Sequence, residues 1–479
     1  MAEGFLHGVE VIEIDNGPRP IRTVRSGVIG LIGTAPEADA LAYPLDTPVL
    51  ISGSRREAAK LGTKGSLPGA IDGIFDQVGA VVVVVRVDEG SGGGDERLKA
   101  TLSNVIGGVD PQTGAYLGVQ VFRAAKSIVK VTPKILIAPG FTHQRLKNEP
   151  APVEGEQTLR FSTAESTFHL LGKTLEGVVV TSTDGATTYQ LTSDYTVDAA
   201  AGTVTRVSDG AIPEDGEVRI TYTYMPVPES PLSNPVVAEL KGIAESLRAV
   251  IIADGPNTND ADAISYREDW GTGRIYVVDP WCKVMKDGEV VSEPASARVA
   301  GLLAKIDNDR GFWWSPSNQE INGIVGTHRA VDFELGDANC RANLLNEQCV
   351  STIIHEDGYR LWGNRTCSSD PKWAFLSVRR TADMINESIL QAHLWAVDRN
   401  IDKTYVEDVT EGVNAYLREL KAKGAILGGA CWPDPDLNTA AAVSDGHVYF
   451  NFDFTPPYPA ERVTFQSHLV DDYIEEIFR

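Results

Sequence analysis

The chain has 479 residues, 66 of them acidic and 43 basic, for a formal net charge of −23. Such a field repels phosphate and disfavours a general nucleic-acid binder, while the length allows several domains with a real core. Hydrophobic residues at 42% mark a folded chain rather than a disordered one, and no apolar run approaches the roughly 20 residues that cross a bilayer.

Along residues 1–25, Val9, Val11, Ile12 and Ile14 precede Asn16-Gly17-Pro18 and a second extended stretch. Two short strands and a turn are expected, too sparse in apolar residues for a core of their own: an arm that pairs with something else. The opening MAEGFLHGVEVIEID has no basic segment followed by an apolar one, so no secretory leader is read and folding in a cytoplasm is expected. From Gly27 the text changes to VIGLIG, and later to AVVVVVRV at Ala80–Val87, near-continuous apolar runs that suit strands covered on both faces. Ser54–Val78 between them reads as helix broken at Gly62 and Gly65, which makes an α/β unit. A loop at Glu89–Asp95 and a turn at Gly107–Gly108 lead to another buried strand, KILIA at Lys134–Ala138.

Residues 144–233 change character, with prolines at both borders, many threonines, and Asp-Gly turns at 184, 209 and 215. They predict an inserted small antiparallel β domain. The α/β pattern then resumes with a helix at Val236–Leu247, strands at Ala249–Ala253 and Arg274–Val278, a helix at Ala295–Ile306, and a hairpin around Asp357-Gly358. Helices over Asp383–Val397 and Val409–Lys423 should each bury a broad face, the first widened by Leu390, Leu394 and Val397. The chain ends in strand-like HVYFNFDF at 447–454 and Arg462–Leu469. The expected division is an arm (1–25), a discontinuous mixed α/β core (26–143 and 234–445), the inserted β domain (144–233) and C-terminal strands or arm (446–479). Extended amphipathic strands at both ends are an aggregation hazard unless assembly uses them.

Chemistry-bearing motifs are weak. Gly271-x-Gly273 precedes a strand instead of following one, and Gly92-Gly93-Gly94 lacks the Lys-Ser or Lys-Thr of a phosphate loop. His355-Glu356-Asp357 enters a tight turn without the paired helical histidines of a zinc site, and His328, His393 and His468 have no neighbour pattern. Five cysteines, Cys282, Cys340, Cys349, Cys367 and Cys431, are an odd count without C-x-x-C and read as free thiols. No catalytic, cofactor or metal residue is assigned. Arg379-Arg380 is a small basic cluster at an expected helix entrance, with charge-complementary docking as its functional reading. Trp313-Trp314 and Trp362 read as core packing or interface anchors.

The segments TAPEADALAYPLDTPVLISGSRREAAKLGTKGSLPGAIDGIFDQ (34–77), DGYRLWGNRTCSSDP (357–371), LQAHLWAVDRNI (390–401) and FDFTPPYPAERVTFQSHLVDDYI (452–474) resemble the contractile tail sheath family of bacteriophages and phage-derived bacteriocins. The G-x-R-x-W-G-N-R-T-C block, Gly358–Cys367, is the most distinctive part, and only about 144–233 departs from the shortest family members. The resemblance implies a non-enzymatic virion tail subunit, assembled in a bacterial host cytoplasm. It implies six-fold helical polymers of the chain with itself around a tail tube protein, bounded by baseplate and tail terminator proteins, with no direct nucleic acid, membrane insertion or cofactor. It also implies neighbouring arms that join one sheet, and contraction that drives the tube through a cell envelope. Val9, Val11, Ile12 and Ile14, with Val463, Phe465 and Leu469, are the expected arm residues, and Arg379 and Arg380 the expected tube contact. Two other classes fit parts of the pattern: an α/β enzyme with a β-sandwich appendage, and a cell-surface binding protein, which the absent leader disfavours.

Overall fold

A computed structural model describes residues 21–145, 152–162, 166–225, 232–471, 473–474 and 477. The N-terminal arm residues Val9, Val11, Ile12 and Ile14 lie outside the described residues. Two compact units divide the chain, one of Met1–Gln144 with Asn234–Arg479 and the other of Arg145–Ser233.

The larger unit is built on a nine-stranded sheet. Its strands are β1 (Val28–Thr34), β2 (Pro48–Ser52), β3 (Val81–Val87), β4 (Ile135–Ile137), β5 (Val250–Asp254), β6 (Ile275–Val278), β7 (Gln319–Glu320), β8 (Val350–His355) and β9 (Tyr359–Trp362). The spatial order is β7-β9-β8-β6-β5-β4-β1-β3-β2, and helix α4 (Asp260–Glu268) links β5 to β6. The strands from β8 to β3 run parallel, and β2, β9 and β7 are antiparallel edges.

Because both faces are covered, alternate residues of one strand serve different cores. Ile29, Leu31, Val82 and Val84 pack with α1 (Leu67–Phe75) and α5 (Ser296–Asp309). Val28, Ile32, Val83 and Val85, equally buried, point to the face of Phe122, α2 (Gly94–Ile106) and α3 (Pro235–Leu247). Gly33 has a steric reason to be glycine: a Cβ there would come within 2.2 Å of Ser66 Oγ. That hydroxyl accepts the Thr34 amide at 3.1 Å, fixing the start of α1 against the end of β1.

Most expected elements are present; the helix expected at Val409–Lys423 begins earlier, at Lys403, and other differences are larger. A helix, α2, begins at Gly94, where the glycine-rich text suggested only a loop. The helix expected at Asp383–Val397 is α6, Leu376–Ala392. It starts earlier because the face towards the sheet carries polar residues, Ser377, Arg380, Thr381 and Asp383, all buried, so apolar periodicity does not reveal its first turns. It also ends earlier, and Leu390, Leu394 and Val397 are 58%, 79% and 64% exposed instead of buried. Arg462–Leu469, expected as a strand, forms none.

α6 packs its apolar side against α7 (Lys403–Ala422) and the hairpin of β10 (Gly428–Pro433) and β11 (Phe450–Thr455). Its polar side is joined to the sheet domain by ion pairs. Asp383, fully buried, receives the Arg274 guanidinium, and Glu387 receives Arg248 at 2.9 Å.

The smaller unit has two three-stranded antiparallel sheets, one centred on Glu217–Met225 and one on Thr203–Arg206. Phe161, Val180, Tyr195, Val204, Ile220 and Tyr222 belong to its own core. No described helix of the chain is long and apolar enough to cross a membrane.

Candidate assembly interface

The core under the β10–β11 hairpin also takes in the first described residues of the chain. The register of the hairpin is antiparallel, Gly428 opposite Thr455 and Cys431 opposite Phe452. Phe450, Phe452 and Phe454 lean on the core of α6 and α7, which holds the hairpin as a platform. Ile21, 6% exposed, is buried in the same cluster, with Val24 packed beside it. The Val24 amide donates to Ser388 Oγ at 3.1 Å, and Thr23 Oγ1 lies 3.1 Å from the Tyr416 hydroxyl. The first described residues are thus anchored on α6 and α7, in the core that also supports the hairpin, and the C-terminal segment continues directly from β11.

A two-stranded sheet has two outer edges, and among the described residues neither edge of this one carries a further strand. They are not equivalent. On the β10 side Asn414 of α7 occupies Cys431, donating from Nδ2 to its carbonyl at 3.0 Å and accepting its amide at 2.8 Å. That substitutes a side chain for a strand and blunts the edge. The β11 edge has no such cap among the described residues. Beyond it lies a segment with apolar side chains in water: Val463 is 66%, Phe465 92% and Leu469 100% exposed. These three are the residues that the family resemblance made the expected C-terminal arm. Sequence reasoning missed Asn414, whose partner is 17 positions away and carries no local signal.

Arg379 and Arg380 require a correction, since they are not a solvated cluster at a helix entrance. Both lie inside α6. Arg380 is 2% exposed and forms a double bond set with Asp307, Nη1 to Oδ1 at 2.8 Å and Nη2 to Oδ2 at 2.5 Å. Arg379 pairs with Asp383 at 2.5 Å and stacks 4.1 Å from the Trp373 ring centroid. Their charges are neutralised within the fold, which removes the physical basis for a tube contact at these two positions. Of the tryptophans, Trp313 packs edge-on to Phe312 and Trp362 edge-on to Phe333, while Trp314 is 46% exposed under Arg310. His328 meets Ser292 Oγ at 2.9 Å and His393 meets the Ile389 carbonyl at 2.7 Å, both local roles. The five cysteines are free thiols, all buried except half-buried Cys349.

Parallel α/β sheets hold ligands outside the carboxyl ends of their strands, at the point where the strand order reverses. Here β1 has β3 on one side and β4 on the other, and the neighbouring carboxyl ends are filled by the protein's own groups. Asp254, fully buried at the end of β5, accepts the Ser296 amide at 2.8 Å and hydroxyl at 2.6 Å, which anchors α5. Asp279, after β6, binds the Arg329 guanidinium and accepts the Asn257 amide at 2.8 Å. Burial pushes both carboxyls up to about 6. A groove of about 590 Å³ lies by Val28 and Val81, at the opposite, amino ends of β1 and β3.

The architecture is that of a contractile sheath subunit. Across 96% of this chain and 98% of the other, it is similar to the helical sheath of the anti-feeding prophage in its contracted state, with TM-score 0.59 and 15% identity. The sheath of an extracellular contractile injection system, also contracted, is similar over 98% of this chain and 99% of the other, with TM-score 0.57 and 14% identity. In sequence, residues 26–87 match the tail sheath protein Gp18 domain III N-terminal region, 211–367 the phage tail sheath protein central domain, and 368–469 the phage tail sheath C-terminal domain. A prophage major tail sheath protein of Pseudomonas aeruginosa is 37% identical over 99% of this chain and 98% of its own length. The tail sheath protein of Escherichia phage P2 is 30% identical over the same shares. The chain belongs to the phage tail sheath protein family. Its function is that of a structural subunit of a contractile tail sheath, in a phage or phage-like particle.

Proposed function

We propose that copies of this chain polymerise helically around a tail tube, each linked to its neighbours by arm strands that add to the β11 edge. The carrying observation is the two-stranded β10–β11 platform, capped by Asn414 on one side and uncapped among the described residues on the other, with an exposed apolar segment continuing from it. Strand addition supplies main-chain hydrogen bonds as a tether and alternating side chains as register. Val9, Val11, Ile12 and Ile14 at one end and Val463, Phe465 and Leu469 at the other are the proposed pairing residues. A contact of this kind is heterologous and does not close on itself, which generates filaments.

The arms keep subunits connected while the bodies rotate and move outward from an extended lattice to a compact one. That motion drives the tube through a cell envelope with the free energy of new subunit contacts and no bound nucleotide. In this reading the chain is not an enzyme. Its partners are itself, the tube protein, and the baseplate and terminator proteins at the two ends, and assembly takes place in the bacterial cytoplasm.

The test uses truncations chosen by the structure. Ile21 is part of the core and must be kept, so the variants are residues 21–479 and 1–461. Full-length protein should form hollow ridged cylinders in negative-stain micrographs, and both truncations should melt like the parent yet sediment as monomers. Cylinders from both truncations would refute arm exchange.

A further inference from the structure

Between β11 and the exposed segment, side chains tie the chain to the body. Pro456, Pro457 and Pro459 restrict the backbone immediately after β11 and make a stiff spacer. At its end the Glu461 carboxylate takes a two-point contact from Arg365, Nε to Oε1 at 2.7 Å and Nη2 to Oε2 at 2.6 Å. Parallel bonds of this kind fix orientation as well as distance. The Arg365 guanidinium lies 5.2 Å from the centroid of the Phe375 ring, and the same ring meets Tyr458 edge-on at 6.4 Å. Phe375, the residue that opens α6, thus contacts both the cation and the phenol. Arg365 itself is fixed by a backbone bridge to Phe375.

We propose that Arg365, Phe375, Tyr458 and Glu461 form a clasp that aims the C-terminal arm, with Arg365 as a positioning residue for strand exchange. The proposal rests on the arm-exchange reading and adds to it the device that sets the arm's direction. A strand hung from a free tether searches a wide volume for its acceptor, whereas one rooted by a stiff spacer and a two-point contact meets it in a narrow range of orientations. The ion pair is partly exposed, Arg365 at 36% and Glu461 at 44% of their side-chain surface, so the clasp weakens with salt.

Two measurements on the full-length chain test this. Below the concentration at which it polymerises, trypsin cleavage after Arg462 reports release of the arm's root. Arg365→Gln leaves the sequence around that bond intact, and it should accelerate cleavage about fivefold, the upper size for a partly exposed pair, without changing the melting temperature. Tyr458→Ala, which keeps the ion pair, should act in the same direction. The threshold concentration for polymerisation should rise in Arg365→Glu and in Glu461→Arg, and return towards the parent value in the double exchange. An unchanged cleavage rate in Arg365→Gln would overturn the clasp, and faster cleavage with an unaltered threshold would overturn its aiming role. Polymerisation of the 1–461 chain at the parent threshold would instead refute exchange by this arm, a result the cleavage assay does not depend on.

Discussion

Arg380 and Asp307 are 73 positions apart, and their side chains are 3% and 2% exposed. Removing one partner of such a pair strands the other charge in the interior, which costs about 3–5 kcal/mol. Arg380→Ala should therefore lower the unfolding free energy by that amount in denaturant titrations, and a change within experimental error would contradict the buried pair. Asp254 carries a second prediction. Its carboxyl is raised from 3.8 to about 6 by burial, against the opposing hydrogen bonds from Ser296 and Thr142. The folded state thus holds a proton that the unfolded state has released between about pH 4 and 6, so this group's contribution to stability falls as pH rises through that window and is level above it. Asp254→Asn removes the titration. The stability of the variant relative to the parent should improve from pH 4 to 6, and a difference that does not vary with pH would exclude the assignment. Neither pair was legible in the text, because an ion pair or buried carboxylate formed by distant residues leaves no spacing to read. Arg379-Arg380 shows the consequence: adjacent charges suggest a surface, while the fold supplies each with a buried or half-buried acid.

At the level of elements, periodicity was informative wherever apolar side chains face a core. The valine run of β3, the KILIA strand and the hairpin at Asp357-Gly358 stand where they were expected, since burial on both faces or a tight turn writes itself into composition. α6 was misjudged at both ends because its sheet-facing side is polar, and α2 was missed because its start is glycine-rich. The segment Arg462–Leu469 differs in another way. It has strand-like alternation and no strand in the monomer, the condition that the proposed arm exchange needs. Phe465→Ser with Leu469→Ser should accordingly leave the melting temperature of the monomer unchanged, since surface substitutions at exposed positions shift stability by about 0.5 kcal/mol or less, yet abolish cylinders. A loss of monomer stability comparable to a core substitution would show that these side chains pack within the subunit.

On the scale of the whole molecule, the inserted unit and the sheath body are two compact units, each with its own core. Asn234 ties the borders of the insertion together, donating to the Phe141 carbonyl at 3.0 Å and the Gln144 carbonyl at 2.9 Å. A chain in which residues 145–233 are replaced by a short Gly-Ser linker should therefore fold and polymerise, and an insoluble product would show that the body depends on the insertion. Composition changes at 144–233 and the compact unit spans Arg145–Ser233, whereas its role left no mark in the sequence. The central claim concerns the edge of β11, and a photo-crosslinking residue at position 465 in assembled protein tests it most directly. Arm exchange predicts crosslinks between different copies that map by mass spectrometry to residues 450–455. Crosslinks confined within one copy, or mapping elsewhere on the neighbour, would contradict it.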